Sequence, residues 1–397
     1  MRKTNCILIS LFFGLMLPGF RMGAQSTVED ILYAVERGNP SLRHAAALLD
    51  LSKAGNAAEY RLDDPQTEFN YLWGQNSQVG NRHDLRISQN FDLAALSGTR
   101  LRQVAAKDEM ARLEYESKRQ EILLEAQLTC MDVIRCNAQI EVLGKNLEAA
   151  SALESATTRK MEIGSSSQIE VNRARLNLSN ARSRLAKVRT ERERCLDYLR
   201  TLTGDESISL DSRIYPDYRL PEDFDVWYRE LAQQSPMARY VAKREEVMRG
   251  QQKMDRLSAY PSLSVGYMAE VGMAEKYRGV TLGVSVPLWR NNAKLRASAA
   301  GVAEAAELKD AFGKQFYGSL RRSYSQAVSL KEIAESCQEV LESSDNRQML
   351  LQAEKQGEVS VLDYVLETEM YCDAVQEYLN AECDFRKALC TLLSVTL

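Results

Sequence analysis

The chain has 397 residues, a formal net charge of −4 and an aromatic content of 7 %, with only three Trp and two His. No basic stripe with interleaved aromatic residues is present, so the composition gives no sign of a nucleic-acid partner. The histidines, His44 and His83, stand in no cluster with metal-ligand spacing, and no phosphate-binding loop or nucleophile motif occurs. We therefore expect neither an enzyme nor a bound cofactor or metal.

The N-terminus has the order of a secretory signal peptide. A positively charged start, Met1-Arg2-Lys3, precedes the apolar run 7–18, and a small-residue cleavage site ends at Ala24, so residues 1–24 form the expected signal. The run is shorter than the ~20 residues that a spanning helix needs, and no later stretch reaches that length. No transmembrane helix is predicted. Cys6 precedes the run, which argues against a lipid anchor.

The rest of the chain reads as two similar halves. Three landmark residues of the first half recur in the second: Pro40 as Pro236, Pro65 as Pro261 and Gly164 as Gly357. The offset is 196 for both prolines and 193 for the glycine. A repeat of about 200 residues is too long for a solenoid unit and indicates a duplicated half. We predict a first repeat over 25–204, a linker over 205–225 and a second repeat over 226–397.

Each half predicts the order helix, strand, turn, strand, long helix, turn, long helix. Proline is absent between Gln66 and Tyr215 and again after Pro287, so both long helical regions lack a breaker. The predicted segments are a β-hairpin and a helical hairpin in each half, at 66–93 and 97–204 in the first and at 262–289 and 293–395 in the second. The predicted fold class is mostly α with β.

The β-hairpins show a period of two. Phe69, Tyr71 and Trp73 alternate with mostly polar neighbours in the first hairpin, and Val265 and Tyr267 do so in the second. Each strand has about eight to ten residues, close to the ~9–11 that a tilted strand needs to cross a bilayer. Such strands also occur in soluble sandwiches, but four of them after a signal peptide favour a membrane sheet.

The predicted sheet is too small to span a membrane alone. A spanning sheet must close without a free edge, and outer-membrane barrels have at least eight strands. Four strands cannot close, so the chain must oligomerise, and three copies would give a twelve-stranded barrel. Its inward residues would form a polar lumen that includes Glu68, Asp84, Arg86, Asp92 and Glu270.

The first long helical segment has apolar residues at steps of three and four, among them Leu124, Leu128, Met131 and Ile134. A helix of about 60 residues extends roughly 90 Å and needs partners along its length. A soluble coiled coil would explain this part of the chain equally well. In the second long helix, Gly313 and Gly318 predict a break where the middle of the molecule is wrapped by the linker.

Seven cysteines follow the signal, none in a CxxC pair and all in predicted helix: Cys130, Cys136, Cys195, Cys337, Cys372, Cys383 and Cys390. An odd number cannot pair fully within one chain, so a disulfide framework is not expected. We expect these cysteines to act as small buried hydrophobes at helix contacts.

The return helix of the second half carries the most specific family match. Residues 361–367 (VLDYVLE) and 371–377 (YCDAVQE) resemble the tip of the periplasmic helical tunnel in TolC-like outer-membrane efflux proteins, and residues 169–175 are the first-half counterpart. With the signal and the duplicated halves, the resemblance covers nearly the whole mature chain. It implies a homotrimer with an outer-membrane β-barrel continued by a periplasmic α-helical barrel. The tip would dock a periplasmic adaptor bound to an inner-membrane transporter.

The resemblance also implies an aperture at this tip, with one departure. Two acidic residues three apart constrict the tunnel in the best-known members. Asp363 matches the first, whereas Leu366 stands at the second and Glu367 follows it. Asp363 and Glu367 are four apart and share a helix face. The aperture candidates are therefore Asp363 and Glu367, with Glu170 in the counterpart segment.

The two inter-helix turns are the candidate adaptor contacts. Each has a glycine that lets the chain reverse, with short side chains beside it. The residues are Gly164, Ser165 and Ser166 in the first half and Gly357, Val359 and Ser360 in the second.

The expected function is a passive exit duct of a tripartite efflux or type I secretion system. The duct would lie in the outer membrane with a long periplasmic portion. The main alternative is a periplasmic adaptor with coiled-coil hairpins, although adaptors usually carry one long hairpin rather than two equal halves. The cargo stays open among drugs, heavy metals and secreted polypeptides.

Overall fold

The computed structural model describes residues 27–61, 63–75, 80–231, 234–272, 275–286, 292–343, 346–356 and 358–396. The expected signal peptide, Gly357 and the end of the second β-hairpin after residue 286 lie outside the described residues. The fold is mostly helical with one small sheet, which agrees with the predicted class. No described helix is long and apolar enough to cross a membrane.

The first half has seven regular elements: α1 Val28–Gly38, α2 Pro40–Tyr60, β1 Gln66–Leu72, β2 Arg82–Phe91, α3 Leu93–Leu96, α4 Thr99–Glu162 and α5 Gln168–Thr203. The second half follows with α6 Phe224–Leu231, α7 Pro236–Leu257, β3 Ser262–Val271, β4 Lys276–Ser285, α8 Asn292–Ser343, α9 Arg347–Gln356 and α10 Val361–Leu393. A 3-10 turn, Ser394–Thr396, follows α10.

The element bounds show the duplication directly. The offset is 196 between the starts of β1 and β3, 194 between β2 and β4, and 193 both between α4 and α8 and between α5 and α10. A net three residues are therefore lost between the start of the first strand and the start of the long helix. The predicted net loss of three residues falls entirely at the sheet end of the repeat.

All four strands form one antiparallel sheet in the order β1-β2-β3-β4. β2 of the first half pairs with β3 of the second, from His83 opposite Val271 to Phe91 opposite Leu263. The two halves are thus joined through backbone hydrogen bonds as well as through the linker. β1 and β4 are the edge strands, and no further strand of the described chain lies beside them.

The helices run away from the sheet as two hairpins. α4 has 64 residues and α8 has 52, lengths of about 96 and 78 Å at 1.5 Å per residue. α5 packs along α4 and α10 along α8, while α2 and α7 cover the parts of α4 and α8 nearer the sheet. Because each long helix has a partner along most of its length, neither depends on intrinsic helix propensity alone.

The expected break at Gly313 and Gly318 is wrong. α8 runs continuously through both glycines and ends at Ser343, and α9 begins at Arg347. A helical glycine costs only about 1 kcal/mol relative to alanine. Aromatic packing beside these glycines holds the helix, since the rings of Phe312 and Phe316 stack at 5.3 Å.

The linker packs against the middle of the helical hairpins. Leu210 is fully buried in a cluster with α1, α4, α5 and α10. The Asn137 side chain of α4 donates hydrogen bonds to the carbonyl oxygens of Leu210 and Ser212, both at 2.8 Å. Arg192 of α5 donates to Asp211 at 2.8 Å. These polar contacts fix the linker across the first hairpin.

Six of the seven cysteines are buried at helix contacts, as predicted, and Cys337 is partly buried. None forms a disulfide in the described chain. Burial raises the pKa of Cys136 and of Cys390 to about 12, and that of Cys383 to about 11. Their thiols therefore stay protonated near neutral pH.

Candidate functional site

One face of the sheet is mostly apolar and exposed, with the cations Lys276 and Arg278 of β4 on it only at the end next to the hairpin turns. In the strand register Phe69 of β1 lies opposite Leu85 of β2. In the next row of the same face, Tyr267 of β3 lies opposite Val280 of β4. Val280 is 74 % exposed and Leu282 is 81 % exposed. Soluble proteins rarely expose a continuous apolar face of this kind, which marks an interaction surface.

The opposite face is polar and internally paired. Arg82 forms ion pairs with Asp84 at 3.1 Å and with Glu270 at 2.9 Å. Arg86 pairs with Glu68 at 3.4 Å. Four of the five predicted lumen residues therefore share one face and bind one another through arginines. The charge pairs keep this face polar without a large excess of either sign.

Two details of the polar face differ from the sequence expectation. Asp92 follows β2 instead of lying within it, and its carboxylate accepts a hydrogen bond from Arg100 at 2.5 Å. Arg82, the cation between two predicted lumen acids, was not among the predicted lumen residues. Extending the same alternation two residues upstream would have found it.

The turn of the first helical hairpin closes with a Schellman motif. Gly164 has φ +75°, and its N–H donates to the Met161 carbonyl at 2.9 Å. The N–H of Ser165 donates to the Lys160 carbonyl at 2.8 Å. Glycine suits this left-handed position because it has no Cβ. In the second hairpin Glu358 donates to Ala353 at 2.9 Å in the equivalent bond.

Glu170 forms a capping box at the start of α5. Its carboxylate accepts hydrogen bonds from the Ser166 hydroxyl at 2.7 Å and from the Ser167 backbone N–H at 2.8 Å. The Glu170 N–H donates in return to Ser167 Oγ. The bond from the Ser167 backbone, followed by that from Ser166, lowers the pKa of Glu170 below its usual value of 4.5.

This capping box should make the stability of the first turn of α5 depend on pH. A lowered pKa means that the capping contribution is complete above the ordinary value and is lost as the pH falls below 4.5. We expect the first turn of α5 to lose amide protection between pH 7 and pH 3, measured by hydrogen–deuterium exchange corrected for intrinsic rates. Glu170→Gln keeps an acceptor but does not titrate, so its protection should be nearly constant. Unchanged wild-type protection at pH 3 contradicts the assignment.

The second tip repeats this arrangement at α10. Ser360 is the N-cap, and its hydroxyl bonds Asp363 Oδ2 at 2.6 Å and accepts from the Asp363 N–H at 3.2 Å. Asp363 and Glu367 are exposed, and Leu366 between them is 48 % exposed. Of the predicted contacts in this turn, Ser360 is exposed and Val359 is half-buried, whereas Gly357 lies outside the described residues.

The two tips pack together at the end of the molecule far from the sheet. Leu153 of α4 and Ala174 of α5 form a buried cluster with Val361 and Tyr364 of α10. The structure therefore brings the three aperture candidates, Glu170, Asp363 and Glu367, to one end of the chain. Within one copy the acidic pair on α10 faces away from the buried side of that helix.

A family model and several solved structures match this chain. Residues 31–205 match the family model described as outer membrane efflux protein. A search of curated protein sequences gives no match. Outer membrane efflux proteins are pore-forming and not catalytic, which agrees with the prediction that the chain is not an enzyme.

The solved structures cover almost the whole chain. CusC, whose crystal structures concern folding and transmembrane channel formation, has a TM-score of 0.76, 14 % identity and coverage of 93 % of this chain and 91 % of its own. The outer membrane protein VceC of Vibrio cholerae has a TM-score of 0.75 and 13 % identity, and the match covers 93 % of this chain and 95 % of VceC. The Campylobacter jejuni CmeC outer membrane channel has a TM-score of 0.73 and 15 % identity, and the match covers 93 % of this chain and 85 % of CmeC.

At these identities the structural matches establish the fold alone. The duplicated fold of outer membrane channels is present over nearly the full chain. The resemblance to the TolC-like outer membrane efflux protein family is therefore confirmed, by the family model over residues 31–205 and by the shared channel fold over the described chain.

Proposed function

We propose that three copies of this chain form an outer-membrane exit duct, a twelve-stranded β-barrel continued by an α-helical barrel in the periplasm. The duct passively conducts cargo for a tripartite efflux or type I secretion system. A periplasmic adaptor, bound to an inner-membrane transporter, docks at the helical tips. The observation that carries the proposal is the four-stranded sheet with one exposed apolar face, one charge-paired polar face and two free edges.

The topology supports closure by copies of the same sheet. β1 and β4 are antiparallel to their neighbours and, in a sheet of four alternating strands, to each other. β4 of one copy can therefore pair antiparallel with β1 of the next, for any number of copies. A barrel needs at least eight strands, which excludes a closed monomer. The choice of three copies rests on the family resemblance.

The dimensions support membrane insertion. β3 and β4 each have ten residues, about 33 Å of strand, and a tilt of roughly 40° reduces this to about 25 Å, the height of the apolar band of such barrels. Aromatic residues flank the sheet at both ends. Tyr71 and Trp73 lie beside the β1–β2 turn and Tyr260 precedes β3, where aromatic side chains favour the bilayer interfaces.

An adaptor role is not favoured. Both halves have the same order of elements and share one sheet, and the family model matches the first half. The cargo stays open among drugs, metals and polypeptides.

Fractionation and reconstitution test the proposal together. The full chain should be recovered in outer membranes, resist extraction by carbonate and run as a trimer in mild detergent. The purified trimer should give discrete conductance steps in planar bilayers. Extraction by carbonate alone, or a trimer without conductance, contradicts an exit duct.

We further propose that Asp363 lines the aperture at the tunnel tip. Asp363→Ala shortens the side chain and removes three charges per trimer, so we expect higher single-channel conductance and a weaker preference for cations. Asp363→Asn keeps the side-chain size and an acceptor for Ser360, so only the cation preference should fall. Comparing the Ala and Asn variants separates the effect of aperture width on conductance from the effect of the Asp363 charge. Wild-type conductance and selectivity in Asp363→Ala place the aperture elsewhere.

A further inference from the structure

The apolar face of the sheet ends in a basic pair, Lys276 and Arg278 of β4. Lys276 lies in the row next to the hairpin turn, opposite Val271, and Arg278 is two residues further along the strand. Both side chains are exposed. Because residues two apart on a strand point to the same face, the two cations leave the sheet about 7 Å from each other. They therefore form one small patch of positive charge beside an apolar surface.

The charged residues of the four strands are sorted between the two faces. Every acid of these strands lies on the polar face, where the two strand arginines pair with them; the residues are Glu68, Asp84, Glu270, Arg82 and Arg86. Lys276 and Arg278 are the lysine and the arginine of the apolar face, and neither has an ion pair in the described chain. The basic pair thus has no compensating acid on its own face.

The acids nearest to the basic pair are directed elsewhere. Glu275 precedes Lys276 in the chain, but its carboxylate accepts a hydrogen bond from the hydroxyl of Tyr277, which is on the polar face. β1, the edge strand that would pair with β4 in the proposed barrel, has its one acid, Glu68, on the polar face as well. Closing the barrel would therefore leave the basic pair without a protein acid beside it.

In the proposed barrel the basic pair lies at the height of lipid headgroups. The helices leave the sheet at the strand ends opposite the hairpin turns, so the turns face the cell exterior when the helices are periplasmic. Lys276 is eight residues from Val284, in the apolar row nearest the helices. That is about 27 Å of strand and roughly 21 Å of height at a tilt of about 40°. The apolar band is about 25 Å tall, so the pair reaches its outer boundary, where long basic side chains can extend into the headgroups.

We propose that Lys276 and Arg278 bind the phosphate groups of an anionic glycolipid in the outer leaflet. The inference rests on the proposed function, because it needs the barrel to lie in an outer membrane, whose outer leaflet is rich in phosphorylated glycolipid. The acyl chains of such a lipid would cover the apolar rows, and its phosphate oxygens would accept hydrogen bonds from the ammonium and guanidinium groups. Tyr71, in the same row as Lys276, is an aromatic residue suited to this boundary. Each trimer would hold three lipids at one level.

Lipid binding by the purified trimer tests this inference. The probe is diphosphorylated lipid A, titrated into the trimer in mild detergent, and native mass spectrometry counts the bound molecules. We expect three per wild-type trimer. Lys276→Gln with Arg278→Gln should weaken binding by about tenfold or more, because both cations near the headgroup are lost. Lys276→Arg with Arg278→Lys keeps both charges and should bind the lipid as the wild type does.

Two controls isolate the phosphate contact. Dephosphorylated lipid A has the same acyl chains and should bind the wild-type trimer about tenfold more weakly, a comparison that needs no variant to fold. Arg194→Gln with Arg219→Gln removes two cations outside the sheet, 78 % and 88 % exposed, and should leave binding unchanged.

Four results would overturn the inference: equal binding of both lipids by the wild type, wild-type binding in the double Gln variant of the basic pair, an equal loss in the control variant, or a loss in the variant that keeps both charges. A wild-type chain that forms no trimer instead contradicts the proposed function, so the two failures are distinguishable.

Discussion

Replacing Val265 by Arg should abolish assembly of the chain in the outer membrane. Val265 lies in the middle of β3 on the exposed apolar face, opposite Gln89 and Leu282 on the adjoining strands. An Arg at the membrane midplane of a barrel costs about 2–4 kcal/mol, and three copies multiply this to about 6–12 kcal/mol per trimer. The measurement is the amount of heat-resistant trimer in isolated outer membranes.

The neighbouring residue provides the control. Ser264 lies on the opposite, polar face of β3, between Asn90 and Gly283. Ser264→Arg adds the same side chain one residue away, where it faces the proposed aqueous lumen. We expect this variant to assemble and to conduct less current. If both variants lose the trimer equally, or if neither loses it, the apolar face does not contact lipid.

Gly38→Ala should destabilise the folded chain by about 3 kcal/mol or more, a large value for a single added methyl group. Gly38 ends α1 where the helix crosses the end of α5, and a Cβ built there lies 1.8 Å from the carbonyl oxygen of Thr203. The clash is with backbone and cannot be relieved by a side-chain rotation. Asn39 holds the crossing closed, since its side chain donates to the Leu202 carbonyl at 2.9 Å.

Gly144→Ala is the matched substitution without a clash. Gly144 lies inside α4, and a Cβ there meets no atom within 4 Å. Alanine is preferred to glycine in a helix by about 0.5–1 kcal/mol, so stability should rise slightly. Thermal unfolding of the purified protein, followed by circular dichroism, compares both variants with the wild type. A Gly38→Ala chain as stable as the wild type contradicts the close crossing.

The sequence predicted the fold largely because local patterns and tertiary contacts agree. Proline-free stretches marked both long helical regions, and period-two alternation marked the four strands. The glycine break in α8 failed because a weak local preference was outweighed by aromatic packing that sequence spacing does not show. The pairing of β2 with β3 was also not predicted, since strands from different halves carry no short-range turn signal.

The candidate site was less predictable than the fold. Alternation placed Glu68, Asp84, Arg86 and Glu270 on one face, but it could not show that Arg82 pairs with two of the acids. At the tips, the acidic residues Glu170 and Asp363 were read from resemblance as aperture candidates. The structure adds that both are capping residues at equivalent helix starts. Capping hydrogen bonds between residues three apart depend on backbone geometry that a residue pattern does not specify.

The distribution of the cysteines has a practical consequence for spectroscopy. In the described chain Cys337 is the one thiol with partial solvent access, and it lies near the C-terminal end of α8. A maleimide dye or spin label should therefore react there first without any engineered site. Three identical labels per assembled duct would then report distances between the second hairpins of neighbouring copies, as an optical or magnetic readout of opening.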